Sequence, residues 1–397
     1  MTAPNIESGQ TPPRPARGRP WWRAILFCLP AFLTLGLPGI VLWLGGELTP
    51  PEKAVALQQA HRLVLHGAEF TNTVIYEKVR AVAQRDPAIL AMGTSRVLQF
   101  RTGFFKPGTS FYNCGSCIQR VQHLREFLHA LPAANHPRIL IVGVEKAWFN
   151  EKSGYSFYTP GWFDDQVHHY PDPVEVYRAN CWSTWQQLAT GQLNLARIAS
   201  GSGLGDRIGL TALTYEQGYR NDGSYLYRDY FHDMSDPRHP DYHFKRGIHL
   251  IESNIIPFER GNDVFASSLT EMTAFLDECR ERDIMVIGFL PPYPHAICAR
   301  LEAPGERYGS WLKVASAVAP LFARRGFEFY DFSDFTDLGA GDEEAVDSFH
   351  GSEKVYVRLM LKMLHAGSVL GRYADAAVLE SDLQRASKNW DIVGREP

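Results

Sequence analysis

Ser95, Asp347 and His350 have the types, and the order along the chain, that nucleophilic acyl chemistry needs. A serine hydroxyl is a weak nucleophile until a base takes its proton. A histidine serves as that base when a carboxylate fixes its tautomer and stabilises the imidazolium. Asp347-Ser-Phe-His350 supplies such a pair, three residues apart, close enough to meet on a helical turn or tight loop. Ser95 ends Ala88-Ile-Leu-Ala-Met-Gly-Thr-Ser95, an apolar run closed by Gly93, which predicts a buried strand that delivers the serine to a helix start continued by Val97, Leu98 and Phe100. Backbone N–H groups at such a start favour negative charge. Those of Ser95 and Gly115, with the Asn113 side chain, are the candidate donors to an oxyanion. Arg96 either holds an anionic acceptor or pairs with Glu145. A serine in this position also serves as an ordinary helix cap, and Asp-x-x-His is a common structural pair. The chemistry is therefore carried by the three residues together and by no one of them.

The elements that must position these residues alternate. Strands are expected at Ile89 to Met92, Ser110 to Tyr112, Arg138 to Val142, Ile284 to Leu290 and Phe327 to Tyr330. Helical spacing lies between and after them, at Ile118 to Leu131, Ser268 to Arg280, Trp311 to Phe322 and Val355 to Leu364. Such alternation predicts an α/β fold with a mostly parallel sheet flanked by helices. Sites in these sheets form at the carboxyl ends of the strands, where Ser95, Gly115, Gly143 and Pro291 all fall. Residues 151 to 260 interrupt the alternation with an aromatic-rich segment too long for a loop, expected to be an insertion that caps the site. Its aromatics suit stacking on a sugar face or holding an acyl chain, and equally suit a small core of its own. Tyr219 to Tyr225 reads as a turn at Asn-Asp-Gly between aromatic strands.

Residues 1 to 20 have the composition of a disordered cytosolic tail. Ala24 to Leu44 carries no charged side chain and is long enough to cross a bilayer as a helix. Arg14, Arg17, Arg19 and Arg23 precede it, which places the N-terminus in the cytosol and everything beyond residue 45 outside the cytoplasmic membrane. Trp21, Trp22 and Trp43 mark its ends, and no small-residue cleavage site follows Leu44. The expected organisation is thus a tail (1–20), a single-pass anchor (21–45), a helical linker (46–87) broken near Gly67, a catalytic domain (88–372) and a polar C-terminal tail (373–397). The net charge of −4 and the lack of a basic block beyond the N-terminus argue against a nucleic-acid partner. The bilayer itself is the first expected partner.

Two competing chemistries are visible. Cys114-Gly-Ser-Cys117 has the spacing of a redox pair, which a structural disulfide or two free thiols would explain as well. His168-His169 beside Asp164 and Asp165 invites a metal, but adjacent histidines project differently and no third ligand is placed. No cofactor is expected.

Gly93-Thr-Ser95 after the first strand, Asn113-Cys-Gly115 after the second and Asp347-x-x-His350 before the last helix resemble the first, second and fifth blocks of the SGNH (GDSL-like) hydrolase superfamily. The resemblance covers about residues 88 to 150 and 265 to 370 and is nearest to the membrane-anchored group that includes the DltD proteins of teichoic-acid D-alanylation and the SGNH partners of membrane-bound O-acyltransferases. It implies a flavodoxin-like sheet, Ser95 as nucleophile, Asp347 and His350 as the rest of a triad, and Gly115 as an oxyanion donor. It also implies an acylated envelope glycan or small acyl ester as substrate, and either serine esterase or acyltransferase activity or a non-catalytic role beside a membrane-bound O-acyltransferase. The chain departs from the pattern in two places. Gly-Thr-Ser replaces Gly-Asp-Ser, and Gly143-Val-Glu145-Lys146 stands where the third block would carry its asparagine.

Overall fold

The computed structural model describes residues 21–60, 63–200, 206–227, 233–303 and 307–393. The expected tail at 1–20 lies outside them. Five strands form the central sheet: β1 (Ile89–Met92), β2 (Phe111–Cys114), β3 (Ile139–Gly143), β4 (Met285–Leu290) and β5 (Glu328–Asp331). They are all parallel and are ordered β2-β1-β3-β4-β5, one of the common doubly wound orders. The chain leaves β1 toward one edge and returns on its other side as β3, so the sheet opens a crevice beyond the carboxyl end of β1. Ser95 follows that end.

Alternation along each strand sorts the core into two halves. Leu90, Met92, Leu140, Val142, Val286 and Leu290 face a layer of helices: α2 (Val74–Arg85), α3 (Gln122–Ala130), α5 (Ala266–Glu281) and α6 (Gly309–Ala323). Ile89, Ala91, Ile139, Ile141, Ile287 and Phe289 face the opposite side, where α7 (Glu353–His365) packs Val355, Leu359, Met360 and Met363 against them. With both faces covered, β1, β3 and β4 read as continuous apolar runs, while the edge strand β5 is only partly buried and carries Glu328 and Asp331. Gly143, at the end of β3, is dictated by close approach: a Cβ there would stand 2.4 Å from Val97 Cγ1, the side chain that seats the Ser95 turn.

Three expectations change. The linker does not run as one helix: Pro51–Gln59 is helical, but Leu65–His66 is a strand that pairs with Arg207–Ile208 and Gly218–Tyr219. A second small sheet, completed by Tyr225–Leu226, thus joins the segment before β1 to the aromatic insertion. Gly67 lies hard against this sheet, with Gln217 O 2.2 Å from where its Cβ would be, so the break near it is a packing requirement. The segment after residue 372 is not a featureless polar tail either. Ala376–Arg385 is helical, and the buried Glu353 carboxylate accepts the N–H groups of Asp391, Ile392 and Val393 while pairing with buried Arg101. Lastly, the helix expected after Ser95 is a single 3₁₀ turn, Ser95–Val97.

Among the described residues one helix, α1 (Trp21–Leu44), is long and apolar enough to cross a membrane. The insertion contributes α4 (Pro173–Ala189), which starts at a capping box of Asp172 and Glu175 and lies alongside the C-terminal part of α1.

Candidate active site

The turn that holds Ser95 is short because its carbonyls are claimed from outside. An α-helix would need them for N–H groups four residues on. Here the Arg96 carbonyl accepts from the Tyr356 hydroxyl, and Leu98 accepts from Tyr225 N–H at 3.1 Å. Those of Val97 and Phe100 accept from the Asn113 amide at 2.8 and 2.9 Å. Thr94, in extended conformation, caps the turn by accepting from Arg96 N–H. Ser95 is thereby presented, half-buried, at the crevice beyond β1.

Across that crevice the Asp347 to His350 loop closes on itself. Asp347 Oδ1 accepts the N–H groups of Phe349 (2.7 Å) and His350 (2.8 Å), and both carboxylate oxygens lie 2.9 Å from His350 Nδ1. His350 Nε2 is 2.8 Å from Ser95 Oγ. A proton on Nδ1, donated to the carboxylate, leaves Nε2 to accept from the serine hydroxyl. Burial pushes the Asp347 carboxyl up, but the facing His350 and the two backbone donors outweigh it and hold the group below the usual carboxylate range. Serine, histidine and aspartate, 255 residues apart in sequence at their widest hydrogen bond, form one continuous hydrogen-bonded chain.

The loop is braced from two directions that sequence reading did not find. Asp241, inside the insertion, is buried and accepts both the N–H and the hydroxyl of Ser348, and Gly247 N–H donates to the same hydroxyl. His239 Nε2 lies 2.8 Å from the Val346 carbonyl. Neither residue carries a sequence signal, because each meets its partner about 107 positions away. Tyr227 also comes from the insertion, with its ring 5.9 Å from that of His350.

Arg96 resolves toward Glu145. Its guanidinium is buried, bonds Glu145 Oε2 at 2.8 Å, and donates to the carbonyls of Pro291, Pro292 and Phe349 at 2.7, 2.8 and 3.0 Å. It also stacks 3.4 Å over the Tyr293 ring. Thr94 Oγ1 donates to the other oxygen of Glu145. The fork of one arginine therefore ties the Ser95 turn to the ends of β3 and β4 and to the His350 loop, which a lysine could not do. Glu145, standing where the resemblance expected a catalytic asparagine, is the acid that receives it.

Asn113 and Gly115 are not directed at Ser95. Asn113 is wholly buried; its amide nitrogen serves the two carbonyls named above, and its oxygen accepts Gly115 N–H at 2.7 Å. Lys78, also buried, donates to the carbonyls of Gly115 (2.8 Å) and Gly223 (2.9 Å), locking the Asn221–Gly223 turn onto the end of β2. Gly223 is left-handed there, with φ of 77°, and a Cβ would meet Asn113 O at 2.3 Å. The Ser95 N–H remains as the backbone donor next to the Ser95 hydroxyl. The Cys114 and Cys117 thiols are free and buried in the core, and burial, then the Cys117 neighbour, pushes Cys114 well above the usual thiol range, the reverse of a reactive redox cysteine.

The chain matches no family model and no curated protein.

Proposed function

We propose that the chain is a serine-dependent acyl-ester hydrolase or O-acyltransferase of SGNH type, held by α1 at the outer face of the cytoplasmic membrane and acting on an acylated envelope glycan or a similar acceptor. The observation that carries this is the hydrogen-bonded chain from Ser95 Oγ through His350 to Asp347. The β2-β1-β3-β4-β5 order and the placement of Ser95 at its switch point support it. His350 Nε2 takes the Ser95 proton as Oγ attacks the ester carbonyl. The new C–O bond forms, the carbonyl electrons move to oxygen, and collapse expels the alcohol, which leaves with the proton from His350. An acceptor hydroxyl or water then gives its proton to His350 and attacks the acyl-enzyme, releasing Ser95. Asp347 stays ionised and holds the imidazole. The Ser95 N–H is the near oxyanion donor in this reading, since Asn113 and Gly115 have partners elsewhere. A serine-directed fluorophosphonate tests it: the full chain should be labelled and Ser95→Ala should not, and equal labelling of both removes Ser95 as nucleophile.

One observation favours a second reading, a non-catalytic partner of a membrane-bound O-acyltransferase. A site with few oxyanion donors forgoes about 2.7 to 4 kcal/mol of transition-state stabilisation per missing donor. Complementation separates the two: a scaffold keeps its function as both Ser95→Ala and His350→Ala, and an enzyme loses it with either.

A further inference from the structure

The anchor helix is not a free tether. Trp21 to Leu35 is exposed throughout, with Phe27 at 87% and Leu35 at 60%. At 1.5 Å per residue this uncovered stretch is about 22 Å long, whereas the hydrocarbon core of a bilayer is about 30 Å. The remaining crossing has to come from the part of α1 that the protein itself covers. There Val41 and Leu42 are buried against Leu193, Ile198, Leu210 and Leu213, and Gly39 lets the Tyr177 ring approach, its Cε2 3.3 Å from where a Cβ would stand.

The backbone of α1 tells the same story. Pro38 has no N–H, so the Thr34 carbonyl lacks the donor four residues on that a regular helix supplies. Trp185 Nε1, on α4, donates to that carbonyl, and the Tyr177 hydroxyl donates to Leu35. In water a freed carbonyl needs no such partner, but within a bilayer it must be satisfied by protein. The outward side of α4 presents Val174 (62% exposed), Arg178 and Trp182 (72% exposed) at four-residue steps, and Leu195, Ile40 and Trp43 are exposed as well. Tryptophan with an arginine able to extend toward the headgroups is the composition of a membrane interface.

We infer that α4 is seated in the outer leaflet of the bilayer beside α1, with Trp182 at the boundary between headgroups and acyl chains. The α/β domain is thereby held against the lipid surface and not on a stalk. This rests on the reading that α1 crosses the membrane, and the test keeps the two apart. The full chain, with Cys28→Ser and Cys181→Ser, is reconstituted into phosphatidylcholine and phosphatidylglycerol vesicles. Nitroxide labels are placed singly at Phe27→Cys, Trp182→Cys, Val174→Cys and Lys313→Cys, the last an exposed position of α6 as a solvent reference. Relaxation by oxygen and by a water-soluble nickel chelate gives the depth of each. The expected result is lipid-like relaxation, oxygen over nickel, at 27, 182 and 174, and the reverse at 313. Nickel-dominated relaxation at both 174 and 182 with a lipid-like 27 overturns the seating of α4 and leaves the anchor standing. A water-like label at 27 overturns the crossing and the seating with it.

Discussion

The carboxyl ends of β1 and β2 lie side by side, with Met92 paired to Cys114, and both are rich in polar groups. They differ in where their hydrogen bonds go. Past β1, the carbonyls of the turn are held by groups from elsewhere, and the Ser95 hydroxyl is left to meet His350. At the end of β2, Asn113 and the following Gly115 bond to each other, and Asn113 serves as the donor that shapes the neighbouring turn. Both strand ends thus carry polar groups, and what separates an available group from a structural one is which acceptors and donors already claim it.

The contrast can be broken at either end. The largest effect is expected at the β1 end: Ser95→Ala or His350→Ala should slow turnover of an activated acyl ester by about 10⁴-fold or more while leaving the denaturation midpoint near that of the wild type. Next comes Arg96→Met, which strands the buried Glu145 carboxylate and should cost about 3 to 5 kcal/mol in urea unfolding. A loss of activity with unchanged stability would instead place Arg96 on the substrate. Asn113→Ala should follow, at about 2 to 4 kcal/mol, because it leaves two carbonyls and the Gly115 N–H without their partner. If acylation falls about 10²-fold in that variant and stability does not, Asn113 is an oxyanion donor after all and the contrast fails.

The smallest expected effect is on acid stability. Asp347 titrates below its unfolded value, which is near 3.9, so its contribution is fully present above that pH and is lost as pH falls through the folded value. Asp347→Asn should therefore flatten the fall in stability between about pH 4 and the acid limit, as measured by denaturant titrations at stepped pH. An unchanged slope would show that the carboxylate is not held in its ionised form by His350 and the loop.

Much of this was legible in the residues. The five expected runs became the five parallel strands; in β1, β3 and β4 both faces are covered, which removes any need for alternation in the sequence. Ser95, Asp347 and His350 met because each sits at a strand end or loop that the α/β layout brings to one edge. What was not legible was long-range and polar. The apolar spacing after Ser95 predicted a helix, and only the side chains of Asn113 and Tyr356 and the backbone of Tyr225 explain why the turn stops at Val97. Leu65–His66 reads as part of a helical linker until its partners, more than 140 residues away, make it a strand. Asp241, the brace of the His350 loop, is one aspartate among many until Ser348 is placed beside it.

In the proposed reaction Ser95 becomes acylated. Mixing the full chain with a p-nitrophenyl acyl ester, quenching in acid and mapping peptides by mass spectrometry tests it most directly. One acyl group is expected on the peptide that contains Ser95, formed in the wild type and absent from Ser95→Ala. An acyl group on any other residue, or the same modification in both proteins, would contradict it.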